Sequence, residues 1–475
     1  MQEARAMNRI PYFPYLENEL STTTEIFFRQ FAVGSILKAA HAYKAKGIPV
    51  VDIIRTLFDL VFSGRSLFLK LKLHPEQSLC CKNTFYRLLN SPNINWLRFT
   101  SLLAAKLVRQ FFEPLSMKEK RVSVFIVDDT IYERQYSKKA ELVSRIYDHA
   151  HHRYSRGFRL LTLGWSDGNS FLPVCARLLA SKDSKQRLNE GAGNIDVRSC
   201  GGRARIQAKT KATDVLFNLL DGALKTGLSA PYLLFDTWFA CAPVISKVVK
   251  RGINVIAMVR KSEKQRFLLN GKSLSVMEIF RRFSKRRGRS KYLLSVTVEM
   301  AVKEKGPKTT KTAEDRVPVK LVYVRNRNNK GKYLVLLSTD TTLPEEEIIR
   351  IYGKRWSIEV FFKACKSYLM LGTECRALSY DAMTAYTAIV FARYAMLSIE
   401  QRNCTDGRTM GDLFRGAEDE LRDITWLEAF RLLTECFMER VTERLILSDA
   451  DLEKLIESFI SSLPDLLKNR LKRCA

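Results

Sequence analysis

A chain of 475 residues with 46% hydrophobic content can hold about three domains, each with its own core, which excludes disorder on any large scale. Lys and Arg number 79 against 50 Asp and Glu, a surplus of 29 with an isoelectric point near 9.8, so a polyanionic partner is expected: nucleic acid first, an anionic membrane surface second. No apolar run reaches the roughly 18 residues of a membrane span; the nearest, Met383 to Ile399, is interrupted by Arg393 and reads as a core helix, so no membrane association is expected.

The N-terminal stretch MQEARAMNRIPYFPYLENEL lacks a signal-peptide core, so a cytoplasmic, nucleoid-associated location is expected. Residues 1–118 read as helical, with apolar periodicity over Ile26 to Tyr43 and Val50 to Phe62. In KNTFYRLLNSPNINWLRFTSLLAAKLVRQ, Ser91-Pro92-Asn93 separates short helices, with Arg87, Arg98 and Arg109 facing outward. The pattern suits a helix-turn-helix and a small helical bundle alike. The ten cysteines include the neighbours Cys80 and Cys81 but no CxxC pair, so reduced thiols are expected rather than a disulfide framework or a zinc ribbon. His149, His151 and His152 cluster in a basic setting that favours phosphate contact or plain surface over a metal site.

From residue 119 the pattern turns to α/β. VSVFIVDDT is a continuous apolar run of the buried-strand type that ends in Asp128 and Asp129. Phe158 to Trp165 and Phe171 to Leu179 read as a hairpin around Ser166-Asp167-Gly168-Asn169. Residues 181–211 form a polar, basic connector, followed by a helix over Ala212 to Lys225. Tyr232 to Phe235 is a second buried strand, ending in Asp236; a helix over Ala242 to Arg251 then leads to a strand over Asn254 to Val259. Strand, hairpin, helix, strand, helix, strand is the order expected of a ribonuclease H-like α/β sheet. Residues 261–340 alternate as β-strands with basic loops and read as an insertion between the sheet and the helix that follows.

That helix is expected to start at Pro344, with Thr342 and Glu345 as a capping box and Glu345, Glu346 and Glu347 at its positive end. At roughly 100° per residue, Tyr352, Arg355, Glu359 and Lys366 share an arc of about 60°. Beside them runs an apolar stripe of Ile351, Ile358, Phe361, Phe362, Cys365 and Leu369, and Gly353 marks a bend. A polar row at the edge of a buried face holds a carboxylate rigidly and leaves it reachable. Taken alone, the row also fits a solvated face with two i,i+4 ion pairs. Three acids, Asp129, Asp236 and Glu359, thus sit at two strand ends and on a helix beside them, where hard oxygen ligands for Mg²⁺ are expected in an open sheet. Each aspartate by itself also suits a turn or a helix cap. Alternation allows only one of Asp128 and Asp129 on the active face, and Glu133 is a weaker rival ligand.

The order Tyr, two residues, Arg, three residues, Glu, six residues, Lys, in YGKRWSIEVFFKACK, resembles the signature of a branch of DDE-type insertion-sequence transposases of the cut-and-paste kind. The resemblance covers roughly residues 121–395. It implies an α/β, ribonuclease H-like catalytic domain in two parts, 119–260 and 341–395, interrupted by a β-rich insertion over 261–340. Helical regions flank it: 1–118 for DNA binding and 396–475 for possible dimerisation. It matches Asp129-Thr130 and Asp236 to the family's first two acids, so Asp129, Asp236 and Glu359 would bind two Mg²⁺ ions, with Mn²⁺ able to substitute. Tyr352, Arg355 and Lys366 would hold phosphates of double-stranded DNA, the transposon ends and the target, in a complex with a homodimer. Trp238 and Trp356 are open to base stacking or a core role. Rivals are a Mg²⁺-dependent nuclease without strand transfer and a domesticated, non-catalytic DNA-binding protein.

Overall fold

The computed structural model describes residues 22–419 apart from 65, 74–77, 149–151, 288–289, 303–314, 327–331, 375 and 404–408, and beyond 419 the helix Asp449–Ser462 with isolated positions. The N-terminal stretch, His149, His151, the basic loop at 303–312, the turn at 328–331, the break after residue 403 and the basic tail lie outside the described residues.

Helices α1 (Thr23–Gln30), α2 (Val33–Ala39), α3 (Val50–Asp59), α4 (Leu67–Leu73), α5 (Lys82–Leu89) and α6 (Trp96–Leu107) open the described chain. Thr22 caps α1 by accepting from the Glu25 N–H at 3.0 Å, and Asn95 caps α6 by accepting from that of Arg98 at 3.0 Å. A π-turn over Val108–Phe112 carries α6 into α7 (Glu113–Lys118).

The sheet is nucleated by the apolar run noted above, now strand β1 (Val124–Glu133), in which Val124 to Val127 are fully buried. After it come β2 (Ser144–Asp148), β3 (Arg153–Ser166) and β4 (Phe171–Leu179). Antiparallel β3 pairs with β1, and β4 with β3 through the expected hairpin. In its turn the Asp167 carboxylate accepts from the N–H groups of Asn169 (2.9 Å) and Ser170 (2.7 Å), and Gly168 takes φ 91°. Two helices, α8 (Cys200–Ala208) and α9 (Ala212–Leu224), lead to β5 (Tyr232–Phe235), α10 (Ala242–Val249) and β6 (Asn254–Met258). Parallel pairing joins β1 to β5 and β5 to β6.

The β-rich segment supplies β7 (Arg266–Leu269), β8 (Lys272–Ser275), α11 (Val276–Arg282), β9 (Tyr292–Val302), β10 (Asp315–Arg325) and β11 (Tyr333–Ser338). It extends the same sheet, because β11 runs antiparallel to β6 with Leu337 opposite Ala257. The result is an 11-stranded mixed sheet in the order β2-β3-β1-β5-β6-β11-β10-β9-β7-β8, with β4 also on β3.

The helix expected at 344 forms as two, α12 (Glu345–Gly353) and α13 (Trp356–Ser367), with the bend near Gly353. The anticipated capping box is not made. Thr342 donates its hydroxyl to Asp340 at 2.6 Å instead, and Pro344 becomes the N-cap, so the three glutamates still fill the first turn. The apolar stripe is buried, and Phe361 packs among Phe171, Phe391 and Tyr394 with ring centroids 4.7 to 5.3 Å away.

Helix α14 (Tyr380–Asn403) is long and apolar enough to cross a membrane by length and composition, yet 94% of its apolar window is buried inside the fold. Its Arg393 is fully buried. The guanidinium donates to Glu374 at 2.9 Å and to the carbonyls of Phe58 (2.9 Å) and Leu57 (2.6 Å), so no charge is left unpaired. Helix α6 packs on β4 and against α2, α9 and α14. With Trp96, Phe99, Leu103, Ala104 and Leu107 all buried, most of it is core, and Arg98 stands on its exposed side.

Candidate active site

Parallel register brings the acids of two strands to one level. Ile126 of β1 pairs with Leu234 of β5, so two residues further on Asp128 and Asp236 leave their strands side by side on the same face, and Asp129 points to the other. Asp128 accepts from the N–H of Asp129 (2.9 Å) and from the Arg355 guanidinium (2.8 Å). The same guanidinium donates to Glu359, so Arg355 bridges Asp128 and Glu359 across the gap between β1 and α13. Thr130, on the Asp128 face, accepts from the Lys366 ammonium at 2.8 Å. Asp236 accepts from the Trp238 N–H at 2.9 Å, a turn contact. Asp129 meets Arg159 of β3 at 3.0 Å, and that guanidinium lies over the Trp238 ring at 5.8 Å.

Burial pushes the Asp128 carboxyl up to about 7; Arg355 opposes the shift, while Asp236 and Asp129 add to it as neighbouring negative charges. Burial works against the charge of Arg355, but Tyr352, Asp128 and Glu359 offset it and raise its pKa overall. Tyr352 is pushed up to about 12, chiefly by burial, with Asp236 and Asp128 contributing. Burial also lowers the pKa of Lys366, against the pull of Glu133 and Asp148.

Lys354, which the sequence reading passed over, anchors the bend from which Arg355 projects. Its ammonium donates to the carbonyls of Val122, just before β1, and of Asp167 in the hairpin turn (3.1 Å). A Cβ on Gly168 would come 2.8 Å from the lysine Cε, and the φ of 91° at this position independently favours glycine. No periodicity signals this residue, because its partners are 232 and 187 positions away.

The fold therefore gathers Asp128, Asp236, Tyr352, Arg355, Glu359 and Lys366 around the end of β1, and turns Asp129 to the opposite face. Trp238 and Trp356 are 58% and 64% exposed, which excludes the core role for both. His152 is exposed. Among the described residues no three His, Cys, Asp or Glu side chains stand close enough together to hold a metal ion. The donor set does suit a hard divalent cation, being all carboxylate oxygen. Asp128 has Asp236 and Asp129 as neighbouring negative charges, and the positive charge between Asp128 and Glu359 is the Arg355 guanidinium.

Residues 63–272 match the family model described as DDE superfamily endonuclease, and residues 203–396 match that described as transposase DDE domain. No curated protein matches the sequence. Among solved structures, the cryo-EM structure of the piggyBac transposase synaptic complex with hairpin DNA is similar at 12% identity and a TM-score of 0.38, over 91% of this chain and 75% of that one; a likeness so distant carries no functional weight. The first family match spans the strands that bear Asp128 and Asp236, and the second spans Asp236 and the helix of Glu359. The chain thus carries DDE-superfamily transposase domains, and the enzyme is a DDE transposase.

Proposed function

We propose that this enzyme binds the terminal inverted repeats of a mobile element, cleaves its ends and joins the released 3′ hydroxyls to target DNA. The observation that carries this reading is the shared face on which Asp128 and Asp236 meet Arg355 and Glu359. The strand order β4-β3-β1-β5-β6, with β1, β5 and β6 parallel and β3 and β4 antiparallel, supports a ribonuclease H-like core to which β7–β11 are added.

In the cleavage step, water attacks a phosphodiester at the element end. A P–O bond forms as the bond to the 3′ oxygen breaks, leaving a 3′ hydroxyl and a 5′ phosphate. In the joining step, that hydroxyl attacks a target phosphodiester, giving its proton to solvent as the target's own 3′ oxygen leaves and takes one up. Two Mg²⁺ ions, or Mn²⁺ in their place, held by Asp236, Glu359 and the aspartate pair, supply activation of the attacking oxygen and stabilisation of the leaving one when bound. Arg355 clasps a phosphate through two N–H groups once it releases Asp128, and Lys366 adds a point charge. Tyr352 lies close enough to Arg355 to help keep it charged. Exposed Trp238 and Trp356 receive unpaired bases. A homodimer on double-stranded DNA is the proposed working state.

The resemblance assigns the first metal position to Asp129, whereas register and the Arg355 contact favour Asp128. Alanine variants decide the matter in an assay with element-end duplex and Mg²⁺. Asp236→Ala and Glu359→Ala should each lose at least about a hundredfold in cleavage, about 2.7 kcal/mol, while still binding the ends. Of the two neighbours, Asp128→Ala should show the loss and Asp129→Ala a smaller one. Undiminished cutting by Asp236→Ala would overturn the assignment. Cut ends without joined products would point to a nuclease instead.

A further inference from the structure

A cavity of about 660 Å³ lies between the N-terminal helices and α8, and no carboxylate lines it. Its walls include His41, Tyr43 and Lys44 after α2, Arg87 of α5, and Arg198 and Arg203 at the start of α8. Two stretches that look unrelated in sequence, the helices around Ser91-Pro92-Asn93 and the basic connector, thus form opposite sides of one space. Asp196 partly neutralises Arg198 through contacts of 3.3 Å. Among the described residues Lys44, Arg87 and Arg203 have no carboxylate partner; Arg87 donates weakly to the Asn83 carbonyl and Arg203 to the Cys200 sulfur. All three side chains are exposed, and Tyr43 stands 65% exposed beside them.

The frame is stiff. Gly201 donates to the Pro92 carbonyl at 2.7 Å, and a Cβ there would come 2.9 Å from the Pro92 Cα, so α8 and the α5–α6 turn touch backbone to backbone. Arg205, one turn along α8, is buried against Glu141 (2.8 Å) and Asp381 (2.9 Å). Rigid elements therefore hold three cations without carboxylate partners toward one cavity, an arrangement that suits an anion. A site for a small apolar ligand would instead be lined mainly by apolar side chains.

We infer that this cavity grips the phosphodiester backbone of double-stranded DNA through Lys44, Arg87 and Arg203, as a contact separate from the carboxylate site. The inference rests on the proposed action on DNA. The experiment compares the full-length protein with the triple variant Lys44→Ala, Arg87→Ala, Arg203→Ala. Binding of a fluorescein-labelled duplex without Mg²⁺ is followed by anisotropy between about 50 and 200 mM salt, where each phosphate contact contributes about 0.9 to the slope of log affinity on log salt. The triple variant should bind more weakly at low salt and show a slope shallower by about 2 to 3, with an unchanged melting temperature. Should it melt early, each single variant should still flatten the slope by about 1, and Arg87→Lys with Arg203→Lys should preserve it. An unchanged slope with wild-type binding intact would overturn this inference alone, whereas no salt-dependent duplex binding by the wild type would overturn the DNA reading as well. Slope loss reproduced by occupying the wild-type cavity with millimolar inorganic phosphate, with no preference for duplex over free phosphate, would also overturn it.

Discussion

Lys354 shows how a single side chain sets the approach of the signature helix. Burial pushes its ammonium down to about 8 from the ordinary 10.5, with repulsion from Arg350 and Arg121 adding to the effect and Asp167 and Glu347 opposing it. Below pH 8 both folded and unfolded chains carry the proton, and the burial penalty is felt in full. Between about 8 and 10.5 the unfolded chain binds more protons, so this group makes stability rise with pH. Denaturant midpoints measured across that window should rise in the wild type, and Lys354→Met should flatten the rise; parallel curves would show that Lys354 does not titrate this way. At the same scale, the spacing of Tyr352, Arg355, Glu359 and Lys366 was legible because a helix imposes it. The choice between Asp128 and Asp129 was not, since alternation separates two faces without saying which one carries Asp236 and Arg355.

Helix α8 is the element that composition concealed. Its sequence, CGGRARIQA, has no apolar stripe, and its place is set by contacts instead: the Ser199 cap, the paired glycines and the buried Arg205. Arg205 donates to both oxygens of Glu141, also reaches Asp381 and the Gly201 carbonyl, and lies over Tyr380, so it ties α8 to the start of α14. Arg205→Ala would leave the buried Asp381 and the half-buried Glu141 without their shared cation and should cost about 3 kcal/mol by denaturant unfolding. Loss of under about 1 kcal/mol would mean the network is solvated in solution. Gly201→Ala should cost about 1–3 kcal/mol through overpacking against Pro92. The hairpin of β3 and β4 was readable because an Asp-Gly turn carries its own chemistry. The Thr342 capping box was misread because Asp340, two residues back, competes for the same hydroxyl.

Across the whole molecule the N-terminal helices and the sheet share one core, running from Phe27 to Leu413 among the described residues. The apolar faces that build it were visible as periodicity, but their sharing was not, because no local pattern records that α6 lies on β4. A fragment of residues 1–118 should therefore stay largely unfolded by circular dichroism, since Trp96, Phe99, Leu103 and Leu107 would lose their cover. A cooperative thermal transition from that fragment would contradict the shared core.

Arg393 extends the point to the way the protein is made. The carbonyls of Leu57 and Phe58 wait for a guanidinium 336 and 335 residues downstream. At about 5–20 residues per second, the ribosome needs roughly 17 to 67 seconds to supply it. For that interval the nascent helices expose a greasy surface to solvent, so the yield of native enzyme should depend on chaperones that shield it until the last quarter of the polypeptide emerges.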